Sequence, residues 1–376
     1  MKKLHNKITA VIVIVFIASF LILTVLREKG TESYQENRRL AEPPSASLSS
    51  LADGSFIQDL SDYMTDHFAG RSFWISAKGA IEANVGERSV NGVYITDGML
   101  LNASTCDGEF TEKNASEINK FADSYDGAVY IAAIPSSYGV YGDVLPEQIA
   151  QNTEKQQIEL LYSTLGNNIR KIDAYGILKL LNDNYIYYRN DSRWTSYGAY
   201  CVYRTVIQKL GFLPSAYDKY TIEHVSGDFR GNLYNRTQYK KIKADILDVY
   251  TYNNGAEILS CIGYNNDGTS FEKRLYDKSY IETHDMYKLY LGDDAPLVKI
   301  KTSVNNDRRL LVIKDSYADC FIPFLAQHYS EIAVISPDCL ENGMISLVNK
   351  EDYAQTLFLF GIETISEDNY LEAVNK

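Results

Sequence analysis

Two short stretches carry residue types that could do chemistry together. In Leu310-Leu311-Val312-Ile313-Lys314-Asp315-Ser316, an apolar strand runs straight into Asp-Ser. That is the form of a nucleophile at the C-terminal edge of a sheet, where a sharp turn lifts a hydroxyl clear and aims N–H groups at it. The alternative is that Ser316 caps the helix that follows. In Asn190-Asp191-Ser192-Arg193-Trp194, Asp191 could supply the carboxylate that orients a base. A serine needs such a base to take its proton. Arg193 cannot serve, because a guanidinium stays protonated and offers only donors. Asp191 and Arg193 therefore read as an ion pair, with Arg193 free to donate to Ser316 or to a bound carboxylate. His224, His284 and His328 are the other candidate bases, and His67 reads as a structural polar residue.

The elements around these stretches read as α/β. Ala128 to Ile134, Leu310 to Ile313 and Ile332 to Ile335 are short, continuously apolar runs, and Thr356 to Phe360 is a further run of the buried type. Such runs suit strands buried on both faces, as in a parallel sheet. Ile169 to Ile172 and Tyr185 to Tyr188 are two further candidates. Ile158, Leu161, Tyr162 and Leu165 predict one helix. Tyr203, Val206, Ile207 and Leu210 form the apolar stripe of another, which Trp194 opens and Gly211 ends. Strands alternating with helices argue for a sheet flanked by helices. From about 217 to 305 the pattern is irregular and Tyr-rich, as for hairpins and loops inserted between core elements.

At the N-terminus, Lys2, Lys3 and Lys7 precede an uncharged, mainly apolar run from Ile8 to Leu26. As a helix it would span about 28 Å, close to the bilayer's hydrocarbon core. The leading lysines predict a cytoplasmic N-terminus and an exported remainder. No small-x-small pattern ends the run, so an anchor fits better than a cleaved signal peptide. The expected organisation is an anchor over 1–27, a polar stalk over 28–50 with Pro43-Pro44, and one domain over 51–376. Export permits disulfides, and Cys320 with Cys339 is the pair to examine, although five separate small buried residues is the simpler reading.

Composition narrows the partners. With 37 Lys and Arg against 49 acids, the net charge of -12 leaves no electrostatic route to nucleic acid. The 30 tyrosines suit sugar contacts, but they equally suit half-buried strands. No metal-ligand spacing, dinucleotide fingerprint or phosphate loop is present, so no cofactor is expected.

Several ordered blocks resemble one family: bacterial extracytoplasmic proteins named for a D-H-H-W motif, SGNH-hydrolase-like and similar to alginate O-acetylation proteins. The blocks are Glu36-Asn37-Arg38-Arg39-Leu40-Ala41, Asp66-His67-Phe68-Ala69-Gly70-Arg71, Asn91-Gly92-Val93-Tyr94, Pro135-Ser136-Ser137, Gly227 to Tyr234, and Ile313 to Leu325. The resemblance implies an SGNH-like domain in which Ser316, Asp191 and the residue at 193 form a triad, and carbohydrate O-acetyl transfer or ester hydrolysis at the cell surface. It implies oxyanion donors at Gly231 and Asn232, with Trp194 also in the ligand site. The chain departs from the pattern at two places. Ser192 and Arg193 stand where the two histidines belong, and Ser336-Pro337-Asp338 replaces a D-x-R. This looks like coordinated relaxation of the site. Two readings follow: an acyl-transfer enzyme with an unconventional base, or a non-catalytic binder or scaffold for a surface glycan or an assembly partner.

Overall fold

A computed structural model describes every residue except 1, 27–29, 31, 34–37, 85–87, 104–105, 147–152, 342 and 345–346. The chain divides into two compact units, 1–91 with 234–240 and 92–233 with 241–376.

The first unit holds helices α1 (Lys2–Leu26), α2 (Leu48–Asp53), α3 (Ser55–His67) and α4 (Arg71–Asn84). Ala41 explains two of the sequence blocks. Its N–H donates to Asp66 Oδ2 at 2.8 Å, and His67 Nε2 lies 2.9 Å from its carbonyl oxygen. Asp66 also faces Arg71 at 3.4 Å. The blocks therefore clamp one another, and His67 is structural. Glu36 and Asn37 lie outside the described residues. Among the described residues no helix is long and apolar enough to cross a membrane. The apolar run does form α1, with Ile14 and Phe16 more than 60% exposed.

The second unit is built on an eight-stranded sheet. Its strands, with one separate hairpin, are β1 (Ala128–Ile134), β2 (Ile169–Lys171), β3 (Tyr220–Phe229), β4 (Asp245–Tyr252), β5 (Ile258–Tyr264), β6 (Ser270–Glu272), β7 (Leu297–Thr302), β8 (Arg309–Lys314), β9 (Glu331–Ile335) and β10 (Gln355–Gly361). The sheet order is β6-β5-β7-β9-β8-β10-β1-β2, and β3 pairs with β4 apart from it. From β9 to β2 the pairing is parallel, whereas β7, β5 and β6 add on antiparallel. The expected parallel sheet is thus corrected to a mixed one. The antiparallel strands come from the irregular 217–305 stretch, in which β5 and β6 are joined by a short hairpin connection. Tyr185–Tyr188, expected as a strand, contributes only an isolated bridge between Tyr187 and Trp194.

The continuous apolar runs are explained by a core on each face of the sheet. Tyr130, Ala132 and Ile134 point into one core, and Val129, Ile131 and Ala133 into the other. Helices α5 (Gly108–Asp123) and α7 (Thr153–Thr164) cover the second face. On the first lies the helix Ser196–Lys209, which begins beyond α6 (Ser137–Tyr141) and α8 (Ala174–Leu180) and is α9 here. Its N-cap is Thr195, whose side chain accepts from Gly198 N–H, and Gly211 at φ 89° lies just beyond its end.

All five cysteines are free, so the pairing of Cys320 with Cys339 is not made.

Candidate active site

The site sits at the C-terminal edge of the parallel strands. β1 leads outward to β2, β8 leads outward the other way to β9, and β10 lies between β8 and β1. In open α/β sheets such a reversal leaves a crevice beyond the strand ends, where ligands bind. Ser316 follows β8 at this point. The chain does not enter a long helix there. Ser316–Ala318 is a single 3-10 turn, and α11 over Ile322–Leu325 starts late at Pro323; α10 is Asn232–Thr237.

Asp315, not Ser316, caps the turn. Its Oδ1 accepts from Tyr317 N–H at 2.9 Å, and its Oδ2 accepts from Gly361 N–H at 2.8 Å and Thr364 Oγ1 at 2.7 Å. Burial raises its pKa against these hydrogen bonds. Ser316 is left partly exposed, and among the described residues its hydroxyl has no hydrogen-bond partner. The capping alternative for Ser316 is thereby removed.

Asp191 and Arg193 do form the ion pair. Arg193 Nε donates to Asp191 Oδ1 and its Nη2 to Oδ2, both at 2.8 Å, and the Arg193 backbone N–H adds a third bond at 3.0 Å. Asn232 N–H donates to Asp191 Oδ2 at 3.0 Å. Burial opposes charge on Asp191, yet the guanidinium and these hydrogen bonds hold its pKa below the ordinary carboxylate value. Arg193 also lies over the Tyr287 ring at 3.5 Å, a cation–π contact in a desolvated place.

The remaining expected ligand-site residues have structural work. A Cβ on Gly231 would fall 2.1 Å from Asp191 Oδ2, so the glycine allows the close approach. Asn232 donates its N–H to Asp191, and its side chain exchanges hydrogen bonds with Ser192 at 3.2 Å. Its backbone N–H is thereby committed, and one hydrogen of its side-chain amide is engaged by Ser192 Oγ. Trp194 is fully buried, donates Nε1–H to Tyr317 C=O at 2.8 Å and stacks on Phe321. It fastens the motif loop to the serine turn and does not line a binding surface.

The three histidines named as candidate bases have other surroundings. His328 lies beside Tyr203 OH at 2.6 Å, His224 beside Asp248 at 2.5 Å, and His284 is exposed. Among the described residues none of them hydrogen-bonds Ser316.

Residues 80–335 match the family model described as DHHW protein. The chain belongs to the DHHW protein family. A DHHW family crystal structure from Eubacterium siraeum is 23% identical, with TM-score 0.62 over 75% of this chain and 94% of that one. PatB1 of Bacillus cereus, solved with a sulfonyl adduct, is 19% identical, with TM-score 0.65 over 75% of this chain and 98% of that one. No curated protein matches the chain. As a DHHW protein it has an α/β fold with a mixed sheet, the fold it shares with these structures. Its own version of the motif is Asp191-Ser192-Arg193-Trp194.

Sequence reasoning missed two contributors and gave no role to a third. Tyr287 comes from the irregular stretch and carries no motif. Glu363 accepts from Tyr317 OH at 3.1 Å and Ser192 Oγ at 3.3 Å, joining two blocks from a third place in the chain. Lys314 was visible, being a charge at the end of an apolar strand. It is buried between Asp319 at 2.8 Å and Asp294 at 3.0 Å. Burial lifts Asp319 to about 7, with Lys314 opposing and Asp294 reinforcing the rise.

Proposed function

We propose that this DHHW protein is a membrane-anchored, extracytoplasmic relative of cell-surface carbohydrate O-acetyltransferases and esterases whose catalytic triad is impaired. The observation that carries the reading is the double hydrogen bond from Arg193 to Asp191. It engages the motif's carboxylate with a residue that cannot act as a base. The nucleophile's setting is otherwise kept: Ser316 follows a buried strand, its turn is capped by Asp315, and Trp194 ties the motif loop to that turn. The acyl-transfer part rests on family membership. The anchor and the location rest on the uncharged run from Ile8 to Leu26 and the lysines before it.

A second reading is a non-catalytic glycan-binding or scaffold protein of the cell envelope, bound to a surface glycan or an assembly partner. The saturated Asp191 favours it, because an ion pair that needs no further partner is stable without turnover.

An aryl sulfonyl fluoride followed by intact mass separates the readings. The impaired-triad reading expects slow labelling in the parent, faster labelling in Arg193→His and none in Ser316→Ala. Labelling absent from both the parent and Arg193→His supports the binder. Glycan affinity that survives Ser316→Ala but weakens in Arg193→Ala would support it further.

A further inference from the structure

Behind the serine turn lies a group of carboxyls that the triad residues do not use. Glu363 opens α12 (Ile362–Glu367), and one oxygen of its carboxyl, Oε1, receives both Tyr317 OH and Ser192 Oγ. Tyr317 OH also lies 3.2 Å from Ser192 C=O. That carbonyl accepts Ser137 N–H from α6 at 3.0 Å. Four segments distant in sequence meet here: the motif loop, the serine turn, α12 and the start of α6. Beside them stands Glu154 of α7, fully buried, receiving Ser136 N–H at 2.8 Å and Ser136 Oγ at 2.6 Å.

We infer that Glu363 is a positioning residue, whose carboxyl holds the Ser192 loop in register with the serine turn and whose hold weakens as the carboxyl ionises beside Glu154. Both hydroxyls need only an acceptor oxygen, which the neutral acid still supplies, although the carboxylate accepts more strongly. Ionisation adds a charge that faces Glu154 from α7, Asp315 from the serine turn and Glu367 from its own helix. Tyr187 and Tyr317 are the other titratable groups turned toward the pair. Among the described residues no Lys, Arg or His forms an ion pair with Glu363. Burial first, then Glu154 and Glu367, raises its pKa above the ordinary carboxylate range, with the Tyr317 hydrogen bond opposing.

The sign follows from linkage. A carboxyl with a raised folded-state pKa binds more protons folded than unfolded, so its stabilisation is complete below the unfolded value. It is lost as pH rises through the folded value.

The test uses the full chain carrying Trp74→Phe, which leaves Trp194 as the reporter against the serine turn. Thermal midpoint and Trp194 emission are followed from pH 5 to 9. The parent midpoint should fall with rising pH, and the emission should shift over the same range. Glu363→Gln, which keeps the acceptor without the charge, should abolish the emission shift and reduce the fall in midpoint, the remainder belonging to Asp319; Glu154→Gln should reduce both less. A purely structural role would instead lower the midpoint equally at every pH. Should Glu363→Gln fail to fold, Tyr317→Phe serves, since losing a donor that favours ionisation should move the fall to higher pH. A slope unchanged in these variants, or emission independent of pH in the parent, overturns the inference. No readout depends on turnover, so failure here and failure of the proposed function are distinguishable.

Discussion

Arg193 and Asp191 are locked side by side, with Nε and Nη2 each 2.8 Å from a different carboxylate oxygen and Asp191 fully buried. The pair is two residues apart in sequence, so the loop itself fixes its geometry. Arg193 occupies the motif position that a histidine holds in the D-H-H-W pattern. Removing one member should therefore be costly. Arg193→Ala leaves a buried uncompensated charge and should lose about 3–5 kcal/mol of stability. Arg193→Met with Asp191→Asn should recover part of that. Chemical denaturation of the single and double variants checks it, and equal losses in both would contradict it.

Gly231 is where the main chain passes closest to Asp191. Gly231→Ala places a methyl 2.1 Å from Oδ2 against a buried residue. Overpacking of this kind costs about 1–3 kcal/mol. Denaturant midpoints should show the loss, and Asp191→Ala in the same chain should relieve the clash.

Trp194 should behave as a fastener. Trp194→Phe keeps an aromatic ring against Phe321 but strands the Tyr317 carbonyl that accepted its N–H. A buried acceptor left unpaired costs about 1–3 kcal/mol. Any glycan affinity should fall only as the folded fraction falls. A large affinity loss at unchanged stability would place Trp194 in a binding surface after all.

His328 gives the fold an acid-sensitive point. Burial pushes its pKa down to about 4, so it is neutral in the fold. Its stabilisation is complete above the unfolded value near 6.5 and is lost as pH falls toward 4. His328→Gln should flatten the difference in thermal midpoint between pH 7 and pH 4 relative to the parent. An unchanged difference would remove His328 from the account.

Local patterns in the sequence and distant convergence in the fold were not equally legible. The runs around Ile131, Val312 and Phe358 announced strands buried on both faces, because every position in them is apolar. The Asp191–Arg193 pair could be anticipated because the two residues are neighbours and chemically complementary. The mixed sheet could not, since Ile258–Tyr264 and Leu297–Thr302 alternate like ordinary hairpin strands and nothing local says which sheet they join. Trp194 reads as a ligand residue from the resemblance, yet its one donor is committed to the Tyr317 carbonyl, which the sequence places far away. Tyr287 and Glu363 carried no signal at all. Each is one side chain, brought to the site by long-range packing.

Hydrolysis of a simple aryl acetate by the chain from Glu28 to Lys376 tests the central claim most directly, run beside Ser316→Ala and Arg193→His. The account predicts little activity in the parent, a clear gain in Arg193→His, and loss of that gain when Ser316→Ala is added. Parent activity that Ser316→Ala abolishes and Arg193→His does not raise would contradict it, because Ser316 would then already have a base.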